Sequence, residues 1–287
     1  MIVAIVGPTG VGKTKMSVEL AKRYDAIIIN ADAVQVYKGL NIGSAKATEE
    51  EKDGVKHFLL DFKEPSENYT VSDYQKDARE IIAKYKDRNI IFCGGTGLYL
   101  CAALMDYRFY EDISNETYDD LTNAELYELA LKKDKNVKIS KNNRVRLIRF
   151  LNKNPKEVVE PKLMYDNVFF VGLTTNRDNL YDIINNRVDK MFAMGLVDEV
   201  ANLVKKYPNS RVLNSAIGYK EVISYLRGEY TLEETKELIK KNSRHYAKRQ
   251  YTWFNNKMDV KWFLVNYAEF DKTIDMVKKY IDERIKE

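Results

Sequence analysis

Residues 1–6 (MIVAIV) are apolar at every position, the pattern of a short strand buried on both faces. Two runs of the same kind follow, AIIIN at 26–30 and NIIFC at 89–93, and a third, NVFFVGL, stands at 167–173. Residues 56–62 (KHFLLDF) predict a further short strand. Between these runs the apolar positions change to helical spacing, at 15–24 (KMSVELAKRY) and at 70–85, where Thr70 reads as an N-cap with Asp73 in the first turn. Buried strands alternating with helices predict an α/β fold, a parallel sheet flanked by helices. The alternation stops near residue 106. Residues 106–165 offer helices near 124–132 and 142–151 with Pro155 and Pro161 at their end, an inserted helical lobe between core segments 1–105 and 166–287. Helices are expected near 180–194, 197–206 and 215–226. Thr231 and Glu234 form a capping box opening a long helix to about residue 254, followed by a strand at 260–265 and a final amphipathic helix.

The chemistry sits at the strand ends. Gly7, Pro8, Thr9, Gly10, Val11, Gly12, Lys13 and Thr14 match G-x-x-x-x-G-K-[ST] at every position, with a strand before and a helix behind. In that context the backbone N–H groups turn inward around a di- or triphosphate, aided by the positive end of the helix. Lys13 reaches the outer phosphates and Thr14 offers its hydroxyl to Mg²⁺, the one cofactor expected. The fold class is therefore a P-loop NTPase-like parallel sheet with a small inserted helical lobe. Asp32 falls just past the second strand, on the sheet edge that takes ligands. Gly94-Gly95-Thr96-Gly97 forms a second glycine-rich junction on that edge, with no carboxylate where a Walker-B acid would stand. Residues 33–46 read as a loop beside the phosphate cradle.

Composition narrows the class. Hydrophobic residues make up 45% and charged residues 31% of the 287, and no run is long and apolar enough to cross a bilayer, so a soluble, cytoplasmic protein is expected. Two cysteines and two histidines, unclustered, give no zinc site. The net charge of +4 is unevenly spread. Residues 106–128 are acidic, 132–156 hold ten Lys/Arg against Asp134, and 236–257 hold seven against Glu237. Such blocks predict local contact with a polyanion. On the long helix Lys240, Arg244 and Lys248 share one face, interleaved with Tyr246, Tyr251 and Trp253, a mixture suited to backbone contact and base stacking in RNA. A solvated helix with an aromatic core face is the competing reading.

In series, GPTGVGKT at 7–14, DAVQVYKGLNIGSAK at 32–46, GGTGLYL at 94–100, RVDKMFAMGLVDEV at 187–200, AIGYKE at 216–221 and RHYAKRQYTWF at 244–254 resemble the tRNA dimethylallyltransferase (tRNA isopentenyltransferase) family. They come in the family's order and span most of the chain outside 106–165. The resemblance implies transfer of a dimethylallyl group from its diphosphate to N6 of the adenosine 3′ of the anticodon. It implies that Arg187 and Lys13 stabilise the leaving diphosphate and that Thr96 stands near the reacting centre. Resemblance and position together make Asp32 the base. Asp32, Ala33, Val34 and Gln35 match the segment that meets the target nucleotide. Ser215, Gly218, Tyr219, Lys220, Lys241, Arg244, Lys248 and Arg249, with Arg144, Arg146 and Arg149 in the lobe, match tRNA-contacting segments. Dimethylallyl diphosphate and tRNA are the partners implied, with no membrane and a monomer expected. The chain departs from the family at Ala33, where serine is usual, at Phe58 in place of a second histidine, and at Asn143 in place of an aspartate. The eukaryotic zinc-finger tail is not seen, which fits the bacterial type.

Three rivals share parts of this pattern. A small-molecule or nucleoside kinase shares the P-loop, but Gly94-Gly95 stands against it. An RNA-binding module without activity is opposed by intact Lys13, Thr14 and Asp32. Adenylate isopentenyltransferase shares the chemistry but acts on a free nucleotide, and the long basic helix favours a polymer.

Overall fold

The computed structural model describes residues 1–109, 114–153 and 161–286. The chain divides into two compact units, Met1–Met105 with Leu163–Glu287, and Asp106–Lys162.

In the larger unit, β1 (Ile2–Val6), β2 (Ala26–Asn30), β3 (His57–Phe58), β4 (Asn89–Cys93), β5 (Val168–Thr174) and β6 (Val260–Leu264) form a sheet in the order β3-β2-β4-β1-β5-β6. Each neighbouring pair is parallel, with Val3 opposite both Ile91 and Phe169. Every residue of β1 and β2 is buried, as unbroken apolar runs require of strands covered on both sides. On one side α1 (Lys13–Tyr24) and α11 (Phe270–Lys286) bring Met16, Leu20, Ile274, Val277 and Ile281 into the cluster that holds Val3, Ile5, Ile28 and Val171. Elsewhere α3 (Val71–Lys84) packs on α4 (Gly97–Leu104), with Tyr74 stacked on Tyr99 at 3.9 Å between ring centroids. α4 is apolar nearly all round and accordingly almost wholly buried.

The remaining helices of this unit are α2 (Glu49–Lys52), α7 (Arg177–Ala193), α8 (Leu196–Lys206), α9 (Tyr219–Leu226) and α10 (Leu232–Lys257). Thr70 caps α3 and the Thr231–Glu234 capping box forms, both as expected; Asp73 completes a box at Thr70 as well, and another, Thr48 with Glu51, opens α2. The strand expected over 56–62 shrinks to β3, because Leu59 and Asp61 both take φ of 55° and turn the chain out of the ladder. The helix expected from 215 starts at Tyr219, where Gly218 at φ 93° ends a run of turns.

The smaller unit contains α5 (Asn123–Lys133) and α6 (Arg144–Asn152), packed around Leu126, Ala130 and Leu147. Asn143 caps α6, its side chain accepting the Arg146 N–H at 3.2 Å, so the asparagine does the capping work an aspartate would do. Pro155, expected to punctuate the lobe, lies outside the described residues.

Candidate active site

β1 lies between β4 and β5: the chain leaves it toward β2 on one side, and β4 returns to β5 on the other. Where strand order reverses in this way, the carboxyl ends of the strands open a crevice. The P-loop follows β1, Asp32 follows β2, and Gly94-Gly95-Thr96-Gly97 follows β4.

The phosphate loop turns through Gly7, Gly10 and Gly12 at φ of 138°, 89° and 87°, a conformation that only glycine adopts without strain. Lys13 folds over it, its ammonium donating to the Pro8 carbonyl at 2.7 Å. Burial pulls the Lys13 pKa down to about 8, Arg187 adds to the fall, and Cys93 and Asp32 oppose it. The ammonium must be charged to hold a diphosphate. Raising pH above about 8 should therefore weaken diphosphate binding to the free protein, about tenfold per pH unit once Lys13 is mostly neutral. Titration calorimetry with inorganic pyrophosphate from pH 7 to 9.5 checks this, and a flat profile would remove Lys13 as the titrating group.

A residue from the far end of the chain ties the two glycine-rich loops together. Gln250, buried on α10, accepts the Thr9 N–H at 3.2 Å and donates to the Gly95 carbonyl at 3.1 Å. A Cβ on Gly95 would lie 1.9 Å from the Gln250 amide nitrogen, and one on Gly97 would lie 2.0 Å from the Trp253 ring. Gly95→Ala should therefore displace Gln250 and loosen the phosphate loop, weakening pyrophosphate binding about 10-fold. Unchanged binding would show that the bridge is dispensable.

Asp32 accepts the backbone N–H groups of Val34 at 2.9 Å and Gln35 at 3.3 Å, both on Oδ1. The turn is thereby built on one carboxylate oxygen, and Oδ2 takes no part in it. Thr96 accepts the Ala33 N–H at 3.0 Å through its hydroxyl, so its own proton points elsewhere. Tyr246, on α10, stands against this pair. Its hydroxyl bonds to Thr96, and its pKa is pushed up to about 12, first by burial and then by Asp32. Arg187, on α7, donates to the Ser44 carbonyl at 3.3 Å; burial lowers its pKa and Asp32 partly restores it. Gln35 reaches the carbonyls of Ser44 at 3.1 Å and Ala45 at 3.2 Å. Arg187, Asp32 and Thr96 are thus linked through Ser44, Tyr246 and the backbone of 33–35, and Lys13 lies within electrostatic reach of Arg187 and Asp32.

The polyanion-facing residues divide. Lys241, Lys248 and Arg249 are exposed on α10, as are Ser215 and Lys220 near α9. Lys240 instead pairs with Asp189 at 3.0 Å and Glu237 at 3.1 Å, and Arg244 donates to Asn185 at 2.6 Å and covers the Tyr181 ring. The face these two were expected to present with Lys248 is thus turned in part onto α7. Tyr219 and Gly218 are buried, and the Tyr219 hydroxyl donates to Glu199, so both shape the segment from within. In the smaller unit Arg146 and Arg149 are exposed, whereas Arg144 donates to the carbonyls of Leu121 and Tyr118, both at 2.6 Å. Gln250 and Glu199 carried no role in the sequence reading, and Tyr246, read there as a ring suited to base stacking, instead bonds to Thr96. The one signal for Gln250 was the doubled glycine at 94–95, whose close approach only the fold reveals.

Thr14 stands half-buried in the first turn of α1. Among the described residues no group of three or more His, Cys, Asp or Glu could hold a metal ion. One hydroxyl beside a phosphate cradle fits Mg²⁺ carried in by a diphosphate, since that ion takes phosphate oxygens and waters with few protein ligands.

The parallel sheet and the loop after β1 define an α/β enzyme of P-loop NTPase-like fold. The chain belongs to the IPP transferase family, whose model matches residues 35–257. It is 46% identical to a tRNA dimethylallyltransferase of Fusobacterium nucleatum over 95% of each chain. Among solved structures it resembles the full-length tRNA isopentenylpyrophosphate transferase of Bacillus halodurans, at a TM-score of 0.77 and 39% identity, over 99% of this chain and 98% of that one. A eukaryotic dimethylallyltransferase solved while acting on tRNA shares the fold at a TM-score of 0.82 and 24% identity, over 96% of this chain and 77% of that one. Among the described residues no helix is long and apolar enough to cross a membrane.

Proposed function

We propose that this protein transfers a dimethylallyl group from dimethylallyl diphosphate to N6 of the adenosine 3′-adjacent to the anticodon in tRNA, releasing pyrophosphate, and that it works as a cytoplasmic monomer. The observation that carries this reading is the pairing at the sheet edge. A phosphate loop with Lys13 and Arg187 faces a carboxylate, Asp32, that keeps one oxygen for a substrate proton. Beside the P-loop, β4 ends at Cys93 and Gly94-Gly95 follow, where phosphoryl transfer would call for an acid.

The roles follow from the charges. In the transfer the allylic C1–O bond breaks and its electron pair leaves on the diphosphate. Lys13, Arg187 and the loop N–H groups meet that growing negative charge. The N6 lone pair forms the new N–C1 bond, and Asp32 Oδ2 takes the N6 proton. Thr96, whose hydroxyl accepts the Ala33 N–H and bonds to Tyr246, stands beside the Asp32 turn and lines the place where the amine would enter. Mg²⁺, held by Thr14, would supply further neutralisation of the diphosphate. The exposed Lys241, Lys248 and Arg249 supply contacts to the RNA backbone.

The deciding experiment supplies tRNA, Mg²⁺ and dimethylallyl diphosphate with no nucleotide. Modified adenosine with stoichiometric pyrophosphate is expected, whereas a strict requirement for ATP cleavage would sink the proposal. Neutralising Lys241, Lys248 and Arg249 together should weaken tRNA binding and flatten the salt dependence by about one unit of slope for each phosphate no longer neutralised. An unchanged slope would return this face of α10 to a simple solvated helix.

A further inference from the structure

We propose that Glu199 is a positioning residue for the transfer: its carboxylate moulds the 41–44 loop into the shape that presents the Ser44 carbonyl to Arg187 and Gln35. This rests on the reaction proposed above and on the place of Arg187 in it.

Glu199 lies in the first turn of α8, where an acid ordinarily complements its own helix. Here it reaches out to another segment. Its Oε2 accepts the backbone N–H groups of Asn41 at 3.2 Å and Ile42 at 2.8 Å, and its Oε1 accepts that of Gly43 at 3.2 Å. The Tyr219 hydroxyl, from α9, adds a fourth donor at 2.7 Å. Three successive N–H groups turned toward one anion form a nest, a conformation that lacks partners unless the anion is there. Two oxygens are needed for four donors, and only a carboxylate offers both; an amide would turn its NH₂ toward N–H groups.

The loop leaves little freedom for another shape. A Cβ on Gly43 would meet the Tyr219 ring at 2.6 Å, Ala45 takes φ of 45°, and the Ser44 hydroxyl donates to the Leu40 carbonyl at 2.5 Å. The Lys46 N–H closes back on the Asn41 carbonyl at 3.0 Å. From this frame the Ser44 carbonyl faces the crevice and takes the Arg187 guanidinium at 3.3 Å and the Gln35 amide at 3.1 Å. The two side chains assigned to the leaving group and to the nucleotide thus share one carbonyl, and the loop that carries it is held by Glu199.

A double-mutant cycle tests this with two readouts, turnover and the affinity for inorganic pyrophosphate. Glu199→Gln alone should lower turnover and pyrophosphate affinity about 10-fold each, and in an Arg187→Ala background it should add less than about twofold to either loss. Pyrophosphate binding requires no transfer, so that arm stands even if the reaction proves different. Losses that add fully across the cycle, or a folded Glu199→Gln protein with both readouts intact, would overturn the proposal. Should Glu199→Gln not fold, Tyr219→Phe removes one donor of the four. It should show a smaller loss, about 2–5-fold, with the same dependence on Arg187, and additivity there would be equally fatal.

Discussion

Asp32→Asn should retain tRNA affinity and lose roughly 10²–10⁴ in turnover. The geometry makes the substitution a clean one. Both backbone bonds to Asp32 fall on Oδ1, from Val34 and Gln35, and an asparagine carbonyl in the same place accepts both. The 33–35 turn, and with it the Ala33 N–H that holds Thr96, therefore survives. What is lost is the negative charge and the ability of the second oxygen to take a proton from N6. An exocyclic amine is a weak nucleophile until that proton is shared, so the cost falls on the chemical step. Single-turnover rates measured with bound tRNA and saturating donor isolate it. A rate near that of the unaltered protein would remove Asp32 from the role of base, and a matching loss of tRNA affinity would make it a binding residue instead.

Lys13→Ala should lower the transfer rate by about 10²–10³ while leaving tRNA affinity within about twofold. The ammonium is seated over the phosphate loop by the Pro8 carbonyl at 2.7 Å. Its charge sits at the phosphate loop, and the burial that lowers its pKa also strengthens its pull on a diphosphate. Loss of the side chain should appear both in weaker pyrophosphate binding and in slower C–O cleavage. Replacement by arginine tests geometry against charge. The larger guanidinium cannot take up the same seat, so Lys13→Arg should recover only a small part of the rate. If Lys13→Ala left the rate intact and weakened tRNA binding instead, the P-loop would hold something other than the donor.

The two glycine-rich junctions show how far the chain can be read unaided. The P-loop is eight consecutive residues with a strand before and a helix behind, and the structure places them at the reversal of strand order. The second junction is four residues of weak pattern. Its meaning depends on Ala31, Gln250 and Trp253 pressing against Gly94, Gly95 and Gly97, and none of these is near in sequence. The basic face of α10 divides the same way. Helical spacing placed Lys240, Arg244 and Lys248 together, but Asp189 and Asn185 on α7 take the first two and leave Lys248 exposed.

By itself, then, the chain determined its long buried strands, the caps at Thr70 and Thr231 and its phosphate loop. Each of these is a local matter: unbroken apolar runs, a hydroxyl three residues before a carboxylate, a lysine after a glycine. Burial period and capping act over about four residues and leave a trace in the order of the letters. The tertiary structure alone decided that Gln250 bridges Thr9 and Gly95, that Ser44 meets Arg187, and that Glu199 collects the N–H groups of 41–43. Those bonds join positions more than a hundred residues apart, with separations of 241 for Gln250 and Thr9 and 143 for Arg187 and Ser44. A hydrogen bond at that distance imposes no period and demands no neighbour, so it comes into being only when the sheet has brought its partners to one edge.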